Sequence, residues 1–530
     1  MTANQESSAR TLWDLLDAGD DQQNALEAFD DEPLSFEALR SLIDATVAIL
    51  NAHGVESGDR VAIVLNNGPA MATCFLGIAA GAGAAPLNPA YKSEEFEFYL
   101  IDLEPKILVI EEDQQSPAVD VAGKLGIPVV RLRAMPEWGA GHFALLFPGE
   151  LKERTPASRG FGKTDDIALL LHTSGTTSRP KLVPLRHGNL CASAFNVAAT
   201  LRLAEDDRGL NMMPLFHIHG LVAGLLAPLC AGGCVISSKG FNALKFFGWL
   251  AEARPTWYTA VPTMHQAILG RASKSAEIIK SNPLRFIRSS SSSIPPQVIR
   301  EIEDIFGCPL IESYGMTEAS HQMASNPLPP GVRRPGSVGL PAGPEIAIAD
   351  ENGRRLGHGE TGEIVIRGEN VMNGYVNNEK ANAEAFTTEG FFRTGDQGVI
   401  DADGYLSITG RLKEIINRGG EKVSPREIDE VLMDHPSVAQ CVCFAVPHAK
   451  LGEDIAVAIV LREATIADER SIKEFCSSRL AKFKVPETVI FLEEIPKGAT
   501  GKLQRIGLAA KLGLGSGIVA PLVNRAHRLC

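Results

Sequence analysis

A chain of 530 residues exceeds what one compact core needs, so a large domain of two or more sub-lobes followed by a smaller domain is the expectation. With 45% hydrophobic and 22% charged residues the composition is that of a globular protein and argues against long disorder. A net charge of −13 argues against a general nucleic-acid binder, which would carry a basic footprint, yet leaves room for an anionic substrate in a locally positive site.

The start, MTANQESSARTLWDLL, has no apolar core behind a basic head, so no secretory leader is expected. The nine cysteines follow no framework spacing, and their odd number points to free thiols in a reducing, cytoplasmic setting. Residues 34–52 carry apolar positions at helical spacing, and strand-like runs RVAIVL (60–65), KILVI (106–110) and PVVRL (128–132) follow. Such alternation reads as α/β with largely parallel sheets. DIALLLHTS (166–174) is a further strand, with a helix expected from about Asn189. GLVAGLLAPLCAGGCVI (220–236) is short and broken by glycine and proline, so it reads as a buried helix entering a strand rather than a membrane span. A second βα succession runs through WYTAVP, LRFIRSSSSS (284–293), a helix from Pro295, and PLIESYG (309–315). Beyond about residue 350, Gly-rich turns separate short strands, as in a small β subdomain. The last α/β segment opens at 410–432, where Ser424, Pro425 and Glu427 form a helix start with a capping serine. Cys441 and Cys443 lie two apart in CVCFAV, on one face of an expected strand, which suits burial better than metal binding.

HTSGTTSRPK (172–181) has the makings of a phosphate-holding loop. Thr173, Ser174, Thr176 and Thr177 crowd around Gly175, and Lys181 closes the stretch. A Walker loop needs glycine before its lysine and a hydroxyl after it, whereas Pro180 and Leu182 flank this one. A loop of backbone N–H groups, four hydroxyls and one ammonium can still wrap a polyphosphate. A mere polar turn explains the small residues but not the lysine.

Downstream stand SYGMTE (313–318), RTGD (393–396), GRLKEIINRGGE (410–421) and PKGATGK (496–502). In this order and spacing the chain, from LSFEAL at 34 to about 510, resembles the adenylate-forming superfamily of acyl-CoA synthetases, luciferases and peptide-synthetase adenylation domains. The resemblance implies an α/β fold: an N-terminal domain, 1–410, of two α/β sub-lobes plus a small β subdomain, and a mobile C-terminal α+β domain, 411–530. It also implies two half-reactions. A carboxylate attacks the α-phosphate of ATP, giving an acyl-adenylate and pyrophosphate, and the thiol of coenzyme A then takes the acyl group. Anion meets anion in the first step, so catalysis must consist of positioning and charge stabilisation.

By the same resemblance the 173–181 loop would hold the β- and γ-phosphates, and Glu318 would bind Mg²⁺ with Thr317 beside the phosphate. Asp396 would accept from the ribose hydroxyls, with Arg411 near ribose and phosphate. Glu312, Ser313, Tyr314, Gly315 and Met316, together with the 291–293 serines including Ser292, would enclose the adenine. Lys502 would bridge carboxylate and α-phosphate. Lys413 would be the hinge about which the small domain turns, replacing Lys502 at the site by the Asn417, Gly419 and Gly420 loop, whose glycines suit a close-passing pantetheine arm. Taken singly, Lys502 reads as a solvated lysine and Asp396 as a turn cap; five motifs in register favour the joint reading.

His217 in PLFHIHG (214–220) occupies the family's histidine position beside the acyl group, whereas His219 is less usual. His321 follows in the segment that borders the acyl chain, and RSSSSS, with Ser291, replaces the glycine-alanine-alanine of an apolar pocket wall. Two imidazoles and a serine suit a second carboxylate better than an alkyl or aryl tail, because a buried carboxylate needs donors or positive charge. Within the superfamily the combination most resembles the oxalate–CoA ligase branch, with Leu182 departing from the usual lysine–glycine pair. A lone histidine is more often a packing residue, and three alternatives remain open: an aryl- or fatty-acyl-CoA ligase, a stand-alone adenylation domain loading a carrier, and an inactive nucleotide-binding protein. The partners expected are ATP, Mg²⁺, coenzyme A and a small carboxylic acid, oxalate favoured, with no nucleic acid and no membrane.

Overall fold

A computed structural model describes residues 10–149, 151–153, 160–173, 180–496 and 505–514. They fall into two compact units, one drawn from Met1–Thr394 and Val399–Ser407, the other from Gly395–Gly398 and Ile408–Cys530.

The first unit holds two large sheets. One runs in the order Phe143–Leu146, Val129–Ala134, Ile107–Glu111, Arg60–Val64, Gly83–Pro86, Ile167–Thr173 and Lys181–Arg186. Its interior strands pair in parallel, and antiparallel strands close both edges. Val61, Ala62, Ile63 and Val64 are all fully buried, which is why this strand reads as an unbroken apolar run rather than an alternating one. The helix Phe36–Ala52 starts where Ser35 Oγ accepts from the Ala38 amide at 3.2 Å. It packs so closely on the helix Pro69–Gly81 that a Cβ at Gly77 would lie 2.8 Å from Thr46 Cγ2.

The second sheet runs Leu340–Pro341, His321–Ser325, Leu310–Met316, Phe286–Ser289, Trp257–Ala260, Arg208–Asn211, Cys234–Ser237, Asn24–Ala28 and Leu34–Ser35. The strands from Leu310–Met316 through Asn24–Ala28 are parallel. Their carboxyl ends therefore open on one edge, where α/β sheets bind ligands. The 220–236 stretch is a buried wide-turned helix, His219–Leu226, then Ala227–Cys230, then the strand Cys234–Ser237. A small sheet follows in the order Glu345–Ala349, Thr361–Arg367, Phe392–Ile400 and Leu406–Arg411, and the unit boundary runs through its last two strands.

In the second unit Val438–His448 pairs along its length with Gly452–Leu461, which also pairs with Ile416–Arg418 and Thr488–Phe491. Cys441 and Cys443 are buried with Ile428, Leu432 and Ile472, so the helices Pro425–Met433 and Glu469–Ser477 cover that face. The capping serine expected at 424 does otherwise: its hydroxyl donates to Thr409 O and makes no cap bond, leaving Pro425 as the start signal. Arg505 joins three segments, reaching Glu414 at 3.2 Å, Asp429 at 2.6 Å and Cys443 O at 2.9 Å.

Candidate active site

The residues expected beside the acid gather at the carboxyl edge of the second sheet. Thr259 and Arg288 are register partners on adjacent strands, and Ser291 follows Arg288 by three residues. His219 begins the wide turn His219–Leu226, a local geometry common at functional sites. Its Nδ1 lies 3.0 Å from Ser291 Oγ and its Nε2 2.6 Å from Thr259 Oγ1. His321 stacks on it with ring centroids 4.9 Å apart at 21°. Both imidazoles are buried, at 0% and 1% exposure, while Ser291 is half-buried. The backbone is strained here: Ser291, Ser320 and His321 have φ of 73°, 50° and 105°, a region that side-chain-bearing residues avoid unless their surroundings enforce it. The sequence expectation of two imidazoles and a serine is thus one physical cluster. His217 stands half-buried two residues before His219, its amide closing a turn on Pro214 O at 3.2 Å.

Three members of this cluster escaped the sequence reading. Arg288 is fully buried and donates to Gln322 Oε1 at 3.2 Å, and its Nη1 lies 3.4 Å from both His219 Nε2 and Thr259 Oγ1. The signal for it was available: an arginine inside the apolar strand FIRS has no solvated face to occupy.

On the phosphate side, Thr173 pairs across an antiparallel hairpin with Lys181, so the loop joins two strands and the next helix begins only at His187. A Walker loop runs straight into a helix N-terminus; this one does not. Ser174, Gly175, Thr176 and Thr177 lie outside the described residues. Lys181 Nζ sits 4.3 Å from the centre of the Tyr375 ring, and the Tyr375 hydroxyl donates to Glu318 Oε1 at 3.0 Å. Glu318 is buried in the turn Thr317–Ala319, with Thr317 half-buried beside it. Burial, then the Glu318 charge, pushes the Tyr375 phenol well above its ordinary pKa, so it stays a donor. Tyr375 was missed because it lies outside the motifs quoted.

Along Leu310–Met316, Glu312, Ser313 and Tyr314 are buried and Gly315 and Met316 half-buried. Glu312 accepts from the Gly336 amide at 3.1 Å, and Ser313 Oγ donates to Ser289 O at 3.3 Å. A Cβ on Gly315 would lie 1.6 Å from His321 O, so only glycine lets the two strands meet there. Ser292 is exposed.

In the second unit Asp396 is buried and its Oδ1 lies 2.9 Å from Arg411 Nε. Lys413 is exposed, as are Asn417, Gly419 and Gly420. The Gly420 amide donates to Asn417 Oδ1 at 3.1 Å, and the two glycines take φ of 62° and 101°. Lys502 lies outside the described residues.

The fold and these motifs define the class: the chain belongs to the AMP-binding enzyme family, whose model matches residues 17–376, with the family's C-terminal domain matching 427–502. It is 46% identical to the oxalate–CoA ligase of Arabidopsis thaliana, over 89% of this chain and 92% of that one. With the oxalate–CoA ligase of Saccharomyces cerevisiae it shares 41% identity over 84% of this chain and 86% of the other. Among solved structures it resembles ATP-bound MatB from Rhodopseudomonas palustris, with a TM-score of 0.84 at 30% identity, over 95% of this chain and 98% of that one.

Proposed function

We propose that the protein is an ATP-dependent, AMP-forming acid–CoA ligase whose acid is oxalate. The observation that carries the choice of acid is the buried cluster of His219, Ser291 and His321, which offers polar atoms where an alkyl or aryl tail would need an apolar wall. The likeness to two oxalate–CoA ligases supports the same acid.

In the first half-reaction one oxalate carboxylate attacks the α-phosphorus of ATP; the bond to the bridging oxygen breaks and pyrophosphate leaves. In the second, the CoA sulfur attacks the acyl carbon of oxalyl-adenylate, AMP leaves and the thiol proton is released. Residues 173–181 grip the departing phosphates, with Lys181 as the cation. Magnesium bound to the nucleotide would supply charge stabilisation at the phosphates. A nucleotide-borne ion needs one or two protein carboxylates besides the phosphates, and Glu318, buried and oriented by Tyr375, fits that demand. Among the described residues no set of three His, Cys, Asp or Glu side chains could hold a metal on its own. Thr317 and His217 line the reacting centre, and Glu312 to Met316 with Ser292 enclose the adenine. Asp396 takes the ribose hydroxyls, held ready by Arg411. Lys502 neutralises charge at the α-phosphate.

The same reading treats 1–410 and 411–530 as domains that turn about Lys413, carrying the Asn417–Gly420 turn to the thioester step. The cytoplasm is the proposed setting, because every described cysteine is an unpaired, buried thiol. No helix among the described residues is long and apolar enough to cross a membrane. Pyrophosphate release measured with oxalate, acetate, octanoate and 4-coumarate tests the assignment; oxalate should lead by a wide margin, and a lead for any other acid would overturn it.

A further inference from the structure

Arg288 is fully buried, yet its guanidinium meets no carboxylate among the described residues. Its partners are Thr259 Oγ1, His219 Nε2 and Gln322 Oε1, and its Nε has no acceptor there. Other partly buried arginines among the described residues are matched by carboxylates: Arg505 with Asp429 and Glu414, Arg418 with Asp454, Arg208 with Glu27. An unmatched buried cation is costly to fold around, and one retained at a binding edge is the mark of a site completed by an anion. Burial pulls the guanidinium down to about 9, still charged at neutral pH.

The contacts with the guanidinium select one set of hydrogen-bond directions. A guanidinium only donates, so His219 Nε2 and Thr259 Oγ1, each 3.4 Å from Arg288 Nη1, both present lone pairs to it, and the Thr259 hydroxyl gives its own proton to His219 Nε2 at 2.6 Å. His219 must then carry its hydrogen on Nδ1 and donate to Ser291 Oγ at 3.0 Å. The Ser291 hydroxyl then accepts from His219 and keeps its own proton for a further acceptor, at the half-buried end of the chain. A neutral His219 of the other tautomer would claim that proton instead.

We propose that Arg288 is a positioning and specificity residue, which through Thr259 and His219 orients the Ser291 hydroxyl and sets a positive potential that selects acids carrying a second carboxylate. This rests on the acid–CoA ligase reading above. One carboxylate of the substrate is consumed at the α-phosphate; only a diacid keeps a charge to place at Ser291. At a separation of about 8 Å and an effective dielectric near 20, a unit charge shifts binding of an anion by roughly 30-fold.

The test is pyrophosphate release by the full-length enzyme with oxalate and with acetate, comparing wild type, R288M, R288K and T259V. For R288M, kcat/KM for oxalate should fall about 30- to 100-fold through KM, with the loss for acetate at least about tenfold smaller and the KM for ATP unmoved. R288K, which keeps charge but loses the fork, should recover most of the oxalate selectivity. T259V, isosteric and less disruptive, should cost oxalate about tenfold more than acetate by breaking the chain while sparing the charge. It carries the test if R288M fails to fold. Equal losses for both acids in R288M or T259V, or an oxalate KM within twofold of wild type, would overturn the role of Arg288. A wild type that prefers acetate would instead overturn the choice of acid, before any variant is read.

Discussion

His219, Arg288 and His321 are sealed behind the strand ends at 0–1% exposure, each tied to its neighbours, whereas Lys181 and Thr317 on the phosphate side are half-buried. The difference follows from what each side must recognise. A two-carbon acid brings almost no surface, so discrimination has to come from a few dipoles fixed in place and desolvated beforehand. A nucleotide brings size, three phosphates and its own cation, and can be gripped by a looser set of donors. The proposed acid side centres on three sealed side chains, the proposed phosphate side joins the buried Glu318 and Tyr375 to the half-buried Lys181 and Thr317, and substitutions on the two should damage different kinetic constants.

The largest effect is expected at Lys502, the lysine proposed for the α-phosphate. Lys502→Ala should lower acyl-adenylate formation by about 10²- to 10³-fold, as loss of one transition-state donor does, while thioester formation from supplied oxalyl-adenylate stays within a few-fold. Rapid-quench measurement of each half-reaction decides, and equal loss in both would remove Lys502 from adenylation. Next comes Glu318→Gln, which keeps shape and deletes charge. Adenylation should slow by about 10- to 100-fold with a raised Mg²⁺ requirement and an unchanged oxalate KM. His219→Ala is its mirror image, with oxalate KM up by about 10- to 100-fold and the Mg²⁺ and ATP dependences preserved. If either variant moved the other's constant, the separation of the two sides would fail.

The two sides also differed in how far they could be read from sequence. The strands of both sheets announce themselves as apolar runs, and His219, Ser291 and His321 were visible because they stand at or beside motif positions, Ser291 where an apolar wall has glycine-alanine-alanine. Thr259 and Gln322 were not, and neither was the meeting of Thr259 with Arg288, although the two are register partners. Which residues of neighbouring strands share a rung depends on sheet order, and WYTA and FIRS say nothing of that separately. The phosphate loop was legible as chemistry but not as geometry: a helix was expected from Asn189, and the antiparallel return of Lys181–Arg186 that precedes it leaves no trace in composition. Ser424 misled for a simpler reason, since a hydroxyl at a helix start has competing acceptors and this one took Thr409 O.

Tyr375 gives the finest test of the division, because it touches two phosphate-side groups, Glu318 and Lys181. Its hydroxyl supports Glu318 Oε1 at 3.0 Å and its ring lies 4.3 Å beneath the Lys181 ammonium. Tyr375→Phe removes the first contact and keeps the second. One neutral-to-charged hydrogen bond at a shielded carboxylate translates into a loss of roughly 3- to 10-fold in adenylation rate, with the Mg²⁺ requirement shifted upward. Tyr375→Ala also strips the platform from Lys181, so the KM for ATP should rise further by a few-fold. Because the phenol's pKa is pushed up, the wild-type contribution should hold steady across pH 6 to 9, and the ratio of wild type to Tyr375→Phe should be flat over that range. A variant that altered oxalate KM while leaving the Mg²⁺ titration untouched would show that Glu318 is held by something other than Tyr375, and that the acid and phosphate sides are coupled through the 317–321 turn.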